Sequence, residues 1–284
     1  MQEIKKSNPL SKHFRQPAIY IGLTSQGQFW PENALELPAT GKIPVYPMTA
    51  RDEITLRTPD ALINGTSVVE VIESCCPNIK DAWSMPSVDV DSTLIAIRIA
   101  TYGPKMTISS KCPHCTEEHD YDVNLSGLLD TINMPNYEHP VQTQDNLEIF
   151  LKPMSYREIN RVGEVNLEEQ RLIQTLGDPD LSEDERKIRY EQHMKKMIDL
   201  SIDNIRYCTD RVVTEDGTVV TDPEFIREYY ANADSSVLRI VRGQLDQFSE
   251  TINLKPMPAV CESCEKPFDI TIQFDYASFF DQGF

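Results

Sequence analysis

Two Cys-x-x-Cys pairs, Cys112-Pro-His-Cys115 and Cys261-Glu-Ser-Cys264, restrict the possible folds of this chain more than any other feature. A turn of this spacing sets two thiolates on one side of a loop, and two such turns facing each other complete a tetrahedral site of four sulfurs. Four thiolates leave no position for a reacting water, so a metal held this way is structural. Each pair also feeds a segment of alternating polarity. After the first pair the apolar positions are Tyr121, Val123 and Leu125; after the second they are Phe268, Ile270, Ile272 and Phe274. Alternation of this kind is the mark of a half-buried strand. The sequence therefore predicts a β-hairpin with Cys112 and Cys115 at its tip, and a strand following Cys264. Residues 116–260 separate the pairs, an unusually long span that reads as an insertion between two halves of one metal-closed unit. The entropy cost of closing a loop grows only logarithmically with its length, and a zinc site can offset it.

One structural Zn2+ ion on Cys112, Cys115, Cys261 and Cys264 is the expected use of these residues. A redox dithiol is an alternative, although neither pair has a βαβ context. Iron–sulfur ligation and free thiols are further alternatives, and His114 or His119 lies close enough in sequence to replace a cysteine. Cys75, Cys76 and Cys208 fall in helical patterns, where buried inert thiols are expected. Seven cysteines, with no apolar signal segment in the first residues, fit a reducing compartment.

The formal charge of −18 argues against nucleic acid as a partner, because phosphate affinity comes from clustered lysine and arginine. The acidic surface reads as a solvated face or as one that meets basic partners. No run of eighteen or more apolar residues is present, so membrane insertion is not expected. No phosphate-cradling glycine loop, Gly-x-Ser-x-Gly elbow or His-Glu-x-x-His motif occurs, and no enzyme is expected. A hydrolase would have to work through a titrating residue such as His139 or His193. The acid pairs Asp89/Asp91 and Glu168/Glu169 read as helix starts and solvated faces.

The expected fold class is α+β: zinc-knuckle β-hairpins packed with helices, plus a mainly helical insertion between the two cysteine pairs. Residues 1–48 form a Pro-rich N-terminal arm, with prolines from Pro9 to Pro47 that resist helix and the middle of a sheet. Residues 49–152 and 253–284 form the zinc-closed core. Helical periodicity is expected over 60–75, weakened at Gly65, and over 89–102, stopped by Gly103-Pro104. Asn146 to Leu151 reads as a strand. Residues 153–252 form the insertion, with helices over 155–176, from the Ser182-Glu-Asp-Glu185 capping box to about 207, from Asp222-Pro223, and over 235–252. A hairpin turns at Asp216-Gly217.

Several blocks carry a resemblance: Leu37-Pro-Ala-Thr-Gly41, Tyr46-Pro-Met-Thr49, Asp52-Glu53, residues 58–65 and 68–75, Asp89-Val-Asp91, residues 96–103, and Cys112-Pro-His-Cys115. Over about residues 35–130 the chain resembles the baseplate hub subunits or hub assembly proteins of T-even-type contractile-tailed bacteriophages. The resemblance implies a non-enzymatic role in building the tail baseplate through contacts with other hub or wedge proteins, in the virion or in the host cytoplasm during assembly. The alternative is a cytosolic zinc-ribbon adaptor in transcription or translation. Oligomeric state is not legible.

Overall fold

Thr49 caps the first helix: its hydroxyl accepts from the Asp52 N–H, while the Asp52 carboxylate accepts from the Thr49 N–H at 2.7 Å. This reciprocal box satisfies two donors that a helix start leaves open, and it begins α1 (Ala50–Leu56). The computed structural model of the chain describes residues 8–57, 65–176, 183–271 and 279–280, without side chains at 167–176 and 183–186. Its architecture is α+β, built from helices and small antiparallel sheets.

Helix α2 (Thr66–Cys75) starts directly after Gly65, which has φ +72°. Glycine is required there twice over, since a Cβ would also lie 2.3 Å from Asn160 Oδ1. The weak point expected at Gly65 is therefore a helix start; residues 58–64, the first part of that expected helix, lie outside the described residues. Helix α3 (Ser87–Tyr102) follows, two residues earlier than expected. Its Leu94, Ile95, Ala96 and Ile97 are consecutive and all buried, so α3 has apolar neighbours on every side and forms the centre of a first core. Val68, Val71 and Ile72 of α2 pack into that core, as do Phe279 and Phe280.

The Pro-rich segment lies against the same core. Strand β1 (Ile19–Gly22) pairs antiparallel with β2 (Lys42–Val45), and Ile43 and Val45 of β2 are fully buried. Arg15 fastens its start. One guanidinium nitrogen donates to Pro47 O at 2.7 Å and to Asp52 at 3.2 Å, the other to Ser74 O at 2.7 Å and Ser74 Oγ at 2.8 Å. Replacing Arg15 with alanine is expected to cost about 2 kcal/mol, because two backbone carbonyls and Asp52 lose a charged donor. Urea unfolding should show a lower midpoint with an unchanged slope. Lysine should restore less than half, since an ammonium cannot span this forked set of acceptors.

Strands β3 (Lys105–Lys111) and β4 (Glu118–Asn124) make the expected hairpin, followed by the single turn of α4 (Leu125–Leu129), whose Leu125 and Leu128 face the first core. A four-stranded sheet comes next: β5 (Val141–Gln142), β6 (Glu148–Leu151), β7 (Thr209–Val213) and β8 (Val219–Val220), in that order. Between β6 and β7 run α5 (Tyr156–Leu176) and α6 (Glu183–Tyr207). The expected break at 177–180 and the start of the capping box at Ser182 lie outside the described residues. The β7–β8 turn contains Gly217 at φ +83°, as the Asp-Gly pair predicts.

Asp222 and Asp234 cap α7 (Pro223–Asn232) and α8 (Ser235–Ile252). A second core gathers Ile149 and Leu151 of β6, Ile202 and Ile205 of α6, and Tyr230 and Val241 of α7 and α8. The buried Tyr230 hydroxyl meets Thr209 Oγ1 at 2.8 Å, which satisfies both. The chain then returns to the first core at Leu254 and Met257.

Three expectations change. The strand near 146–151 begins only at Glu148, because Asn146 takes φ +57° in the preceding turn. Strand β9 (Met257–Val260) forms despite Pro258, which sits at a sheet edge where its missing N–H costs no ladder bond. It pairs with β10 (Pro267–Ile270); Ile272 and Phe274 of the longer strand expected there lie outside the described residues. Asp89 does not lie on a solvated face. It is fully buried, and its carboxylate accepts from Ser25 N–H at 2.7 Å, Ser25 Oγ at 2.5 Å and Trp30 Nε1 at 2.9 Å.

Candidate metal centre

The two cysteine turns have the same backbone design. Cys112 N–H donates to Glu117 O at 2.8 Å, and Thr116 N–H donates back to Cys112 O at 2.9 Å. At the equivalent positions of the second turn, Cys261 N–H donates to Lys266 O at 3.1 Å and Glu265 N–H donates to Cys261 O at 2.9 Å. Thr116 (φ +65°) and Glu265 (φ +58°) take the left-handed conformation at matching places. For a residue other than glycine this costs on the order of 1 kcal/mol, and the repetition marks a geometry held for use rather than an accident of one loop.

The turns cap β3–β4 and β9–β10 and face each other. The sulfurs of Cys112, Cys115, Cys261 and Cys264 all lie within 4.8 Å of one another. Cys115 and Cys261 are 3.5 Å apart, and Cys112 and Cys264 are 3.8 Å apart. A tetrahedron with zinc–sulfur bonds of about 2.3 Å has edges of about 3.8 Å, so the donor set fits such an ion. The same distances are far from the roughly 2.05 Å of a disulfide, and all seven cysteines are free. Four close cysteines in this arrangement can hold a metal ion.

Electrostatics within the cluster point the same way. Burial raises the Cys112 thiol, but the N–H groups of His114 and Cys115 and the thiol of Cys261 outweigh it and hold Cys112 down at about 6. For Cys115 the Glu117 backbone lowers the thiol, while burial and the three other thiols together push it up to about 12. One sulfur ionises readily at the expense of its neighbours, and four thiolates this close need a cation.

Both nearby histidines are placed as struts rather than as substitutes for a cysteine. His114 Nε2 lies 3.3 Å from Pro267 O, and His119 Nε2 lies 2.8 Å from Ser263 Oγ with Nδ1 3.8 Å from the Glu262 carboxylate. Each contact links one hairpin to the other, and Tyr121 packs edge-on to Phe268 at 5.7 Å between ring centres. This cross-hairpin set was not foreseen, since only the cysteine spacing carries a local signal. Cys75, Cys76 and Cys208 are buried away from the cluster. Burial and then Asp52 push Cys75 up to about 12, and burial pushes Cys208 to about 12 and Cys76 higher, so these thiols stay protonated.

Together these features define an α+β protein whose chain is drawn back on itself by four clustered thiols across residues 116–260. The chain matches the family model described as T4 bacteriophage base plate protein over residues 31–281, and it belongs to that family. Comparison with curated proteins and with solved structures returned no match. The resemblance to T4-type phage baseplate proteins read from residues 35–130 is thereby shown over most of the chain. The family is that of a structural component of the virion tail, which implies contacts with other baseplate components. Among the described residues no helix is long and apolar enough to cross a membrane.

Proposed function

We propose that this chain is a non-enzymatic structural or assembly component of the baseplate hub, acting through protein–protein contacts. One structural Zn2+ ion held by Cys112, Cys115, Cys261 and Cys264 fixes its fold. The closed set of four sulfurs at tetrahedral spacing supports the metal role most directly, since it leaves no coordination position for chemistry. Hub membership is supported by the resemblance over 35–130, and hub or wedge proteins are the partners it implies.

In this reading residues 1–48 are an arm on a zinc-closed core of 49–152 and 253–284, with a helical insertion between the cysteine pairs. The pairing of β6 with β7 favours starting that insertion near Tyr137 rather than at residue 153. When bound, the ion joins the β3–β4 and β9–β10 tips. The protein's own part is to present the four sulfurs on two strained turns and to brace the hairpins with His114, His119 and Ser263.

Affinity capture of the tagged chain from its producing cells, with mass spectrometry of the retained proteins, tests the assignment. Recovery of tail-hub or wedge proteins supports it. Recovery of ribosomal or polymerase subunits, or of no stable partner, removes it and favours the zinc-ribbon adaptor. Elemental analysis of the purified chain should find one zinc per chain.

A further inference from the structure

Among the described residues β1 pairs only with β2, so one edge of β1 carries unpaired backbone donors and acceptors. A groove of about 720 Å³ runs beside it, lined by every residue from Ile19 to Thr24. Successive strand residues point to opposite faces, so a groove that touches all of them follows the edge of the strand and not a face. Ile99 of α3 also lines the groove, and Leu129, Asp130, Ile132 and Met134 form a second wall across from β1. Past Gln26 and Met134 a further hollow of about 420 Å³ continues to Phe29, Tyr137 and Glu138. Gln26 (φ +54°) and Phe29 (φ +66°) hold left-handed backbone along this path, the kind of strain that collects at binding sites.

Every other outer strand is guarded against pairing. β2 contains Lys42 and Pro44, β3 contains Lys105 and Lys111, and β4 contains Glu118, Asp120 and Asp122. β9 has Pro258, β10 has Pro267 and Asp269, and β5 and β8 are two residues long. Charges, prolines and short length are the devices by which proteins keep sheet edges from adding strands. β1, with Ile19-Tyr-Ile-Gly22, carries neither a charge nor a proline, and its Tyr20 is 61% exposed.

We propose that the free edge of β1 is a strand-addition site for one extended segment of another protein, with alternating apolar residues and basic flanks. Backbone pairing with β1 supplies affinity, and pockets beside Ile99 and Leu129 take alternate side chains. The second wall recesses the edge, so it admits a single extended chain and not the β1–β2 edge of a second copy. Asp130 and Glu138 are the acids along the path, and the one cation on it among the described residues, Arg211, is already paired with Asp210 at 2.6 Å. In a chain of net charge −18 the acids therefore select lysine or arginine at the ends of the segment. The inference rests on the edge geometry and not on the hub reading.

The test is amide hydrogen exchange of the full chain with the heptapeptide Lys-Val-Thr-Val-Thr-Val-Lys and with its counterpart ending in glutamates. At saturating peptide, exchange at residues 19–23 should slow by at least about ten-fold while that of β7 is unchanged. The glutamate-ended peptide should bind at least about ten-fold more weakly. Gly22→Lys places a guard on the edge, and its Cβ meets only Gly41 O at 3.8 Å. Although the new ammonium lies across from the exposed Lys42, the variant should still fold, at slightly lower stability, and lose the protection. Absence of protection at 19–23, equal binding of both peptides, or undiminished protection in Gly22→Lys would overturn the proposal. So would a dimer of the chain alone that Gly22→Lys returns to monomer, since that would assign the edge to a second copy.

Discussion

For the proposed zinc site, chelating the metal, or replacing Cys112 or Cys261 with serine, is expected to lower stability by about 5 kcal/mol and Tm by roughly 10–15 °C. Linking the two turns closes a loop over residues 116–260, and a crosslink across so long a loop removes that order of entropy from the unfolded chain. The native state also depends on the link locally. β9–β10 has four residue pairs and buries only Cys261 and Ile270, and an isolated two-stranded hairpin is marginal in water. Without the ion, four thiols within 4.8 Å lose the cation that holds them together, and the struts from His114 and His119 go with them. Thermal melts with and without a zinc chelator should therefore separate. Amide exchange should rise first at residues 257–270, while α3 stays protected. Removal of the metal with no change in Tm or in exchange at the two hairpins would sink the structural-metal reading.

The clustering of the four cysteines was legible because its signal is local: spacing within each turn and alternation after it. The caps at Thr49 and Asp222 and the hairpin turn at Asp216-Gly217 were legible for the same reason, since a few adjacent residues determine their geometry. Pairing across the chain was not. Glu148–Leu151 reads as a strand from its own residues, but nothing in them says that the partner is Thr209–Val213, beyond two long helices. That pairing sets Ile149 and Leu151 in the second core. Strand β9 was hidden by Pro258, which argues against a central strand and is silent about an edge. Asp89 shows the limit most clearly. Beside Asp91 at a helix start it looks like an ordinary first-turn acid, and its true partners, Ser25 and Trp30, lie about sixty residues earlier.

Asp89 should accordingly be the polar residue whose loss costs most outside the cysteine cluster. Its carboxylate is the common acceptor for the Ser25 N–H, the Ser25 hydroxyl and the Trp30 indole, and it joins the segment after β1 to the first turn of α3. Asp89→Ala leaves those donors buried without an acceptor and opens a void, and about 3 kcal/mol of stability should go, roughly 6–10 °C in Tm. Asp89→Asn keeps the volume but turns an amide donor toward donors, so it should recover little of the loss. The pH dependence follows from burial, which raises the Asp89 carboxyl above its ordinary 3.8, with the Ser25 and Trp30 bonds pulling it back only in part. The folded chain then keeps this proton to a higher pH than the unfolded chain does. The stability due to the raised pKa is fully present below 3.8 and is lost as pH rises through the folded value. The margin between the native protein and Asp89→Ala should narrow as pH rises above 3.8 and through the folded value, and Asp89→Asn should lack that slope. Urea titrations followed by Trp fluorescence across that range measure it. A loss below about 1 kcal/mol in Asp89→Ala would show that the Ser25–Trp30 segment is held by its apolar contacts alone.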